Sequence, residues 1–470
     1  MWVSKDFLRE ALGDASLHIG RQACVDGDVS FSIDSRSTQE QQLFVALPGN
    51  RVDGHDFIDQ AITNGAWGLL ISKRAVFDSL SERVKERLVV LLVPDTQQAM
   101  IALAKAWRAQ LTIPVVGITG SVGKTSTKEM LRSMLRYAGV PAAVSYGNQN
   151  TLLGIALNIS HVQREHKVAV FEVGINDRGE IESQIDLLRP TIGVITFIAH
   201  AHALGLGSLH EIAYEKKKMF RYFSPTNIGI ICGDQDLLTD SSYGHPVAKF
   251  GFKTKNQVQA RKVRVITNVD GSLATQFVLK WYGKKVTVTM PGNHLGMVNN
   301  ALAASTIAYF LNIPFEAVVQ GIEQYEGFAH RFEIKDIRGK RGRVISDCYN
   351  ANPESMRAAL IAFDQMPTVG AKIAVIGTML ELGEKQIYWH RQIGRLVNRL
   401  PSIQTVILVG ELAWQAALSL APGIQATKVA DWQEASAILK TMLGGHDQSL
   451  VLVKGSRGIN LTKMVEQIVE

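Results

Sequence analysis

The chain has 470 residues, 46% of them hydrophobic and 20% charged, with a formal net charge of +7 at neutral pH. At about 150 residues per domain that length predicts about three domains, and the composition excludes both bulk disorder and a small disulfide-stapled fold. The basic balance favours anionic partners, whether nucleic acid, anionic lipid or small molecules carrying phosphates and carboxylates, while Cys24, Cys232 and Cys348 stand too far apart for a zinc or disulfide framework and suit a reducing, cytoplasmic setting.

The amino terminus, MWVSKDFLREALG, carries charges early and lacks the apolar stretch of a signal peptide. Short apolar strands follow at Leu43, at Gly68 and at Leu88–Val93, separated by polar turns such as PGNRVDGHD. None of these runs approaches the roughly 18 residues that a membrane span needs, so no membrane insertion is expected. Residues 1–112 are predicted to form a small α/β domain, ending in a helix that Asp95 caps and that stops before Pro114.

From Ile113 the pattern is strand, glycine loop, helix, strand, with later strands VAVFE and TIGVITFI, as in a mostly parallel sheet. The stretch around Asp270-Gly271 alternates β-branched and polar residues and predicts an antiparallel meander; a helix is predicted over Leu295–Leu311. Residues 113–327 therefore read as a central phosphate-loop, mononucleotide-binding domain. After residue 328 the strands RVISD, KIAVIG, TVILVG and SLVLVKG alternate with helical segments, which predicts a Rossmann-like C-terminal α/β domain over residues 328–470.

The strongest chemical signal is TGSVGKTS, from Thr119 to Ser126, between an apolar strand and an amphipathic helix. Gly120 and Gly123 let backbone N–H groups approach phosphate, Ser121 and Val122 complete the turn, Lys124 reaches the outer phosphates and Thr125 can hold Mg²⁺. The motif departs from the spacing GxxxxGK(S/T), because Ile118 stands where that pattern has glycine. Glu172 ends the strand VAVFE, either as a metal carboxylate beside such a loop or as a solvated strand edge.

TFIAHAHALGLGSLHEIAYEKKKMF places His200 or His202 where a metal ligand could stand, with a capped loop histidine as the plain alternative. Lys216, Lys217 and Lys218 read equally as a solvated helix face. Asp347, Tyr349, Asn350 and Asn352 cluster in SDCYNANPESM, where a strand's carboxyl end meets a helix begun by Pro353. Ligands bind at such ends, and turn-capping asparagines look the same. Arg331, in HRFE, is an arginine that could close onto phosphate, and LVKGSRG resembles a further anion loop.

Taken together, TGSVGKTS, YGNQN, FEVG, AHALGLGSL, HRFE and SDCYNAN resemble the Mur ligases, ATP-dependent amide-forming enzymes of peptidoglycan assembly, and the resemblance covers the whole chain. Within the family, IDSRSTQEQQLFVALPGNRVDGHDF, DCYNANPESM with VIGTMLELGE, and the final LVKGSR resemble the branch that joins D-alanyl-D-alanine to UDP-N-acetylmuramoyl-tripeptide. The resemblance implies that Thr119 to Thr125 hold the ATP phosphates and that Thr125, Glu172 and His202 ligate Mg²⁺. It implies a carbamylated Lys216 supporting a second Mg²⁺, with Lys124, Lys216 and His202 as the catalytic set. Asn299 or Asn300 would face adenine, Arg331 the phosphates and Asp347 the ribose.

Asp34, Ser35 and Arg36 would meet the uridine nucleotide, and Asn148 and Asn150 the sugar-peptide, with Tyr349, Asn350 and Asn352 also on the substrate side. Two departures stand out. The asparagines lie five and six residues after His294 rather than four, and Lys218 stands where the family often has an acidic residue. The implied protein is a monomer acting in the cytoplasm on small-molecule substrates rather than nucleic acid. The rival readings are another Mur-type amino acid ligase and a nucleic-acid-stimulated phosphate-loop ATPase, the latter without the basic, aromatic-interleaved stripe such a protein needs.

Overall fold

Alternating apolar strands and amphipathic helices run through the computed structural model, which describes residues 1–13, 16–49, 51–201, 203–339, 342–444 and 448–469. The chain forms two compact units. One comprises Met1–Ile118, Val140–Ile175 and Gly179–Gly193, the other Thr119–Gly139, Asn176–Arg178 and Val194–Glu470.

In the first unit a five-stranded sheet runs in the order Ser16–Ile19, Val89–Leu92, Gly68–Ile71, Gln42–Val45, Ser30–Ser32. All pairs are parallel except the first. The inner strands are continuous apolar runs, as parallel strands covered on both faces must be, and Phe44, Ile58, Leu69 and Val90 pack in one core. The Asp95 carboxylate accepts the N–H groups of Gln97 and Gln98 and so caps the helix Thr96–Gln110 as the sequence predicts. Val168–Glu172 pairs in parallel with both Val115–Thr119 and Ala142–Val144.

Ser160 explains why residues 140–175 join this unit. Its hydroxyl accepts the Phe31 N–H at 2.8 Å and its carbonyl accepts the Met1 ammonium at 2.8 Å. The Trp107 indole donates to the Val162 carbonyl at 2.9 Å.

The second unit contains two sheets. Ile228–Cys232, Val247–Gly251 and Val258–Thr267 are parallel, and Leu273–Trp281 and Lys284–Pro291 extend them as the expected antiparallel meander. Its turn is held by the Asp270 carboxylate, which accepts the Ser272 N–H at 2.9 Å. The predicted helix follows as Leu295–Phe310.

The last sheet has six strands in the order Glu333–Asp336, Arg343–Ser346, Leu450–Lys454, Lys372–Gly377, Thr405–Val409, Gln425–Val429, parallel except for its first edge. Successive strand residues point to opposite faces. Ile345, Ala374 and Leu408 pack with Met356, Phe363 and Ile393 on one side, while Val344, Val375 and Ile407 pack with Leu439, Met464 and Val465 on the other. That is the doubly wound, Rossmann-like arrangement, and it gathers the loops after Ser346, Gly377 and Lys454 at one edge. Among the described residues no helix is long and apolar enough to cross a membrane.

Candidate active site

The loop after Val115–Thr119 departs from ordinary backbone at its two glycines: Gly120 has φ 149° and Gly123, which precedes the helix Lys124–Tyr137, has φ 87°. Both conformations disfavour L side chains, and a Cβ would overlap Thr196 Oγ1 at the first position and Asn300 Oδ1 at the second. The loop is braced from one side. Its Ser121 N–H donates to the Phe197 carbonyl at 2.7 Å, and the Thr196 hydroxyl donates to the Val122 carbonyl at 2.6 Å. Lys124 curls back so that its ammonium donates to the Gly120 carbonyl at 2.7 Å. Thr119 Oγ1 is buried without a hydrogen-bond partner among the described residues. A fixed loop ending at a helix N-terminus with a lysine over it is a geometry that can cradle phosphate oxygens.

Arg331 reaches this loop, its Nη2 donating to Thr125 Oγ1 at 3.2 Å. The residues on either side of it, His330 and Phe332, both have φ 56°, a conformation that costs about 1–3 kcal/mol and survives only where the surroundings hold it. Here the His330 N–H donates to Glu333 at 2.9 Å, its ring meets the Ser346 hydroxyl at 2.9 Å, and the Phe332 N–H donates to Asp347 at 3.3 Å. The arginine is presented on a tethered arch. Its guanidinium lies 4.0 Å from the centre of the Tyr349 ring.

Lys216 sits in the last turn of the helix Leu209–Lys217, which begins with a Ser208/Glu211 capping box. It is 1% exposed. Burial, and secondarily the positive charge of Lys124, hold its amine well below the usual lysine range. Lys218, the departure noted above, is neutralised: its ammonium lies 2.8 Å from the Glu215 carboxylate. Lys217 donates to the Ser241 hydroxyl. His200 packs its ring 4.8 Å from Trp389 and is held below the usual histidine range by burial and by Lys385. His202 lies outside the described residues.

Glu172 belongs to the first unit and is 2% exposed. Its Oε1 accepts the Asn150 side-chain amide at 2.9 Å and its backbone N–H donates to the Ser145 hydroxyl at 3.2 Å. Gly174 leaves room for that amide, because a Cβ there would meet the Asn150 side chain at 2.5 Å. Asn148 gives its carbonyl to the Asn150 N–H at 2.7 Å. In the same unit Asp34 takes a two-pronged bond from Arg36, at 2.9 and 2.7 Å, and this holds its carboxyl below the usual range. The Ser35 hydroxyl donates to Gln60 at 2.6 Å and its carbonyl accepts the Asn64 amide at 2.7 Å. Among the described residues no three His, Cys, Asp or Glu side chains gather as a metal cage.

The two asparagines left open by the sequence part company. Asn300 lies under Gly123 and donates to the Met297 sulfur at 3.5 Å. Asn299 lines a cleft of about 570 Å³ with Phe197, Cys232, Asp234, Gln235 and Phe252, and its buried Oδ1 has no hydrogen-bond partner among the described residues. Phe252 is an exposed aromatic at that cleft; nothing in its local sequence distinguishes it from a core phenylalanine.

At the carboxyl edge of the last sheet, Asp347 pairs with the buried Lys454 at 2.7 Å. Lys454 also donates to the Asn350 carbonyl at 3.1 Å, and the Asn350 side chain accepts the Ala351 N–H at 2.8 Å. Asn352 caps the helix Pro353–Gln365, accepting the Ser355 N–H at 2.8 Å. Lys454 was visible in the sequence only as part of a weak glycine loop.

Three family descriptions match the chain: the Mur ligase family catalytic domain over residues 30–108, the Mur ligase middle domain over 118–308 and the Mur ligase glutamate ligase domain over 330–457. The UDP-N-acetylmuramoyl-tripeptide--D-alanyl-D-alanine ligase of Bacillus subtilis is 30% identical over 441 residues, which span 93% of this chain and 92% of that protein. The crystal structure of MurF from Acinetobacter baumannii, 27% identical, covers 100% of this chain and 99% of its own with a TM-score of 0.83. The MurF ligase of Thermotoga maritima in complex with ADP, 25% identical, covers 93% and 96% with a TM-score of 0.76. The mixed α/β, three-domain fold with mostly parallel sheets is common to this chain and those structures.

Proposed function

The chain belongs to the Mur ligase family, and on that premise we propose how it works. It is an ATP-dependent, amide-forming ligase that joins D-alanyl-D-alanine to UDP-N-acetylmuramoyl-tripeptide in peptidoglycan precursor synthesis. Residues 1–112 bind the UDP-sugar-peptide, residues 113–327 bind ATP, and residues 328–470 form the Rossmann-like C-terminal domain. It acts as a monomer in the cytoplasm.

A carboxylate is a poor electrophile, and ATP makes it a good one. An oxygen of the tripeptide's terminal carboxylate attacks the γ-phosphorus and ADP leaves. The free amine of the dipeptide then attacks the acyl carbon, and phosphate departs with that carboxylate oxygen. Two anions meet in the first step, so Lys124, Arg331 and the N–H groups at the start of the helix Lys124–Tyr137 neutralise the crowding charge, as phosphoryl transfer requires.

Asn299 receives the purine in the cleft where its Oδ1 lacks a partner, Asn300 supports the loop beneath Gly123, and Asp347 meets the ribose. Asp34, Ser35 and Arg36 bind the uridine nucleotide. Asn148 lies on the sugar-peptide side, and Asn150 orients Glu172. Tyr349 and Asn350 border the substrate, and Asn352 shapes their loop through its cap.

Mg²⁺ is a hard cation that takes one or two protein oxygens and fills its other positions with phosphate and water, and the buried Thr125 hydroxyl at the start of the helix Lys124–Tyr137 fits that demand. When bound, Mg²⁺ withdraws charge from the phosphates. Lys216 is suited to capture CO₂, because only the neutral amine reacts and burial favours that form. The N–C bond forms as a proton leaves, converting a would-be cation into a carbamate anion.

The observation that carries this reading is the glycine loop with Lys124 over it and Arg331 laid against Thr125. Phosphate release tests it: purified protein with ATP and Mg²⁺ is expected to release phosphate only when UDP-N-acetylmuramoyl-tripeptide and D-alanyl-D-alanine are both present. Release stimulated by a diamino acid or glutamate instead would point to another ligase of the family, and release stimulated by DNA or RNA alone would refute the reading.

A further inference from the structure

The segment that follows the strand Leu450–Lys454 is tied down at nearly every residue. Lys454 is committed to Asp347 and Asn350. Gly455 is packed so closely that a Cβ would meet Leu461 at 2.8 Å and Gly377 at 3.0 Å. The Ser456 hydroxyl accepts the Leu380 N–H at 2.9 Å and reaches the Ala351 carbonyl at 3.4 Å. Arg457 ends this rigid run and is exposed. Its guanidinium lies 5.9 Å from the centre of the Tyr349 ring, the same ring on which Arg331 lies at 4.0 Å. Two arginines thus share one aromatic platform. One is engaged with the phosphate loop through Thr125, whereas no carboxylate pairs with the other among the described ion pairs.

We propose that Arg457 receives the terminal carboxylate of the dipeptide and so sets the length of the amine substrate. The inference rests on the ligase reading above. The dipeptide's amine must reach the acyl phosphate, whose phosphoryl oxygens lie beside Lys124 and Arg331. An extended dipeptide then carries its carboxylate about 7 Å away, within the separation that ring distances of 4.0 and 5.9 Å allow for the two guanidinium groups. Single D-alanine is too short by one residue, about 3.5 Å, and leaves the arginine unpaired. A planar guanidinium is suited to grip a carboxylate through two parallel hydrogen bonds, and the tethers at Lys454 and Ser456 fix the backbone from which it projects.

The test compares D-alanyl-D-alanine with D-alanyl-D-alaninamide, which lacks the terminal charge, in the wild-type enzyme and in Arg457→Gln and Arg457→Lys. Wild-type enzyme is expected to favour the free carboxylate by about 10–100-fold in kcat/KM, the usual value of a charge-assisted bond. Arg457→Gln is expected to raise KM for the dipeptide by a similar factor, to erase the preference over the amide, and to leave KM for ATP behind. Arg457→Lys is expected to recover part of that preference. A Gln variant that keeps the wild-type preference, or one whose KM for ATP rises in parallel, overturns the assignment. Wild-type enzyme that couples neither compound to the UDP-linked tripeptide overturns the ligase reading itself, a result distinct from coupling both equally well.

Discussion

The phosphate loop at Gly120–Thr125 and the strand-end segment Ser346–Asn352 are equally crowded with polar residues, yet they are built in opposite ways. The loop is built mainly from backbone, so its shape follows from glycine positions and from the strand and helix that bracket it. The segment offers side chains whose roles are assigned by distant partners: Lys454 for Asp347, His330 for Ser346, Arg331 for Tyr349. Backbone-built sites are therefore written locally. Side-chain-built sites are written across the whole domain.

Four substitutions test that contrast, in descending order of expected effect. Lys124→Ala removes the cation that lies over the backbone cradle and is expected to lower turnover at least 10²–10³-fold, about the loss for one preorganised charge contact, with an unchanged denaturant midpoint. Lys216→Met replaces a desolvated amine with an apolar chain of similar shape. Activity is expected to fall by a comparable factor while stability stays within about 1 kcal/mol, because the desolvation cost of the buried amine goes with it. The same residue gives a pH test of definite sign. Burial holds its pKa well below the usual lysine range, so more of the amine is neutral at a given pH than in an exposed lysine, and the protonated share grows as pH falls. Activity at neutral pH is expected to drop when CO₂ and bicarbonate are stripped and to return when bicarbonate is added, with the recovery weakening as pH is lowered.

Lys454→Met attacks the side-chain-built region. It leaves the Asp347 carboxylate buried and unpaired, and urea unfolding is expected to report about 3–5 kcal/mol of lost stability. Asn352→Ala is the mildest. Loss of the cap is expected to cost about 1 kcal/mol, with KM values little changed; a large rise in KM for either peptide substrate would instead make Asn352 a direct contact.

What was legible in the chain follows the same division. The glycine loop, the Asp270-Gly271 turn, the Asp95 cap and the helix begun by Pro353 all have local causes, and the structure forms each of them as expected. The equal standing of Asn299 and Asn300 could not be resolved from spacing, because adjacent residues on a helix point about 100° apart and only the packing decides which meets a cleft. Ser160 carries no signal of its own, although its bonds to Met1 and Phe31 bring residues 140–175 into the first compact unit. Lys218 reads as surplus positive charge until Glu215, on the same helix, is seen to face it.

The central claim is that the tripeptide's carboxylate is activated by phosphorylation before the amine captures it. Labelling both oxygens of that carboxylate with ¹⁸O and analysing the released phosphate by mass spectrometry tests it directly. One ¹⁸O in each phosphate formed is the predicted result, and phosphate without label, formed alongside the amide product, would contradict it.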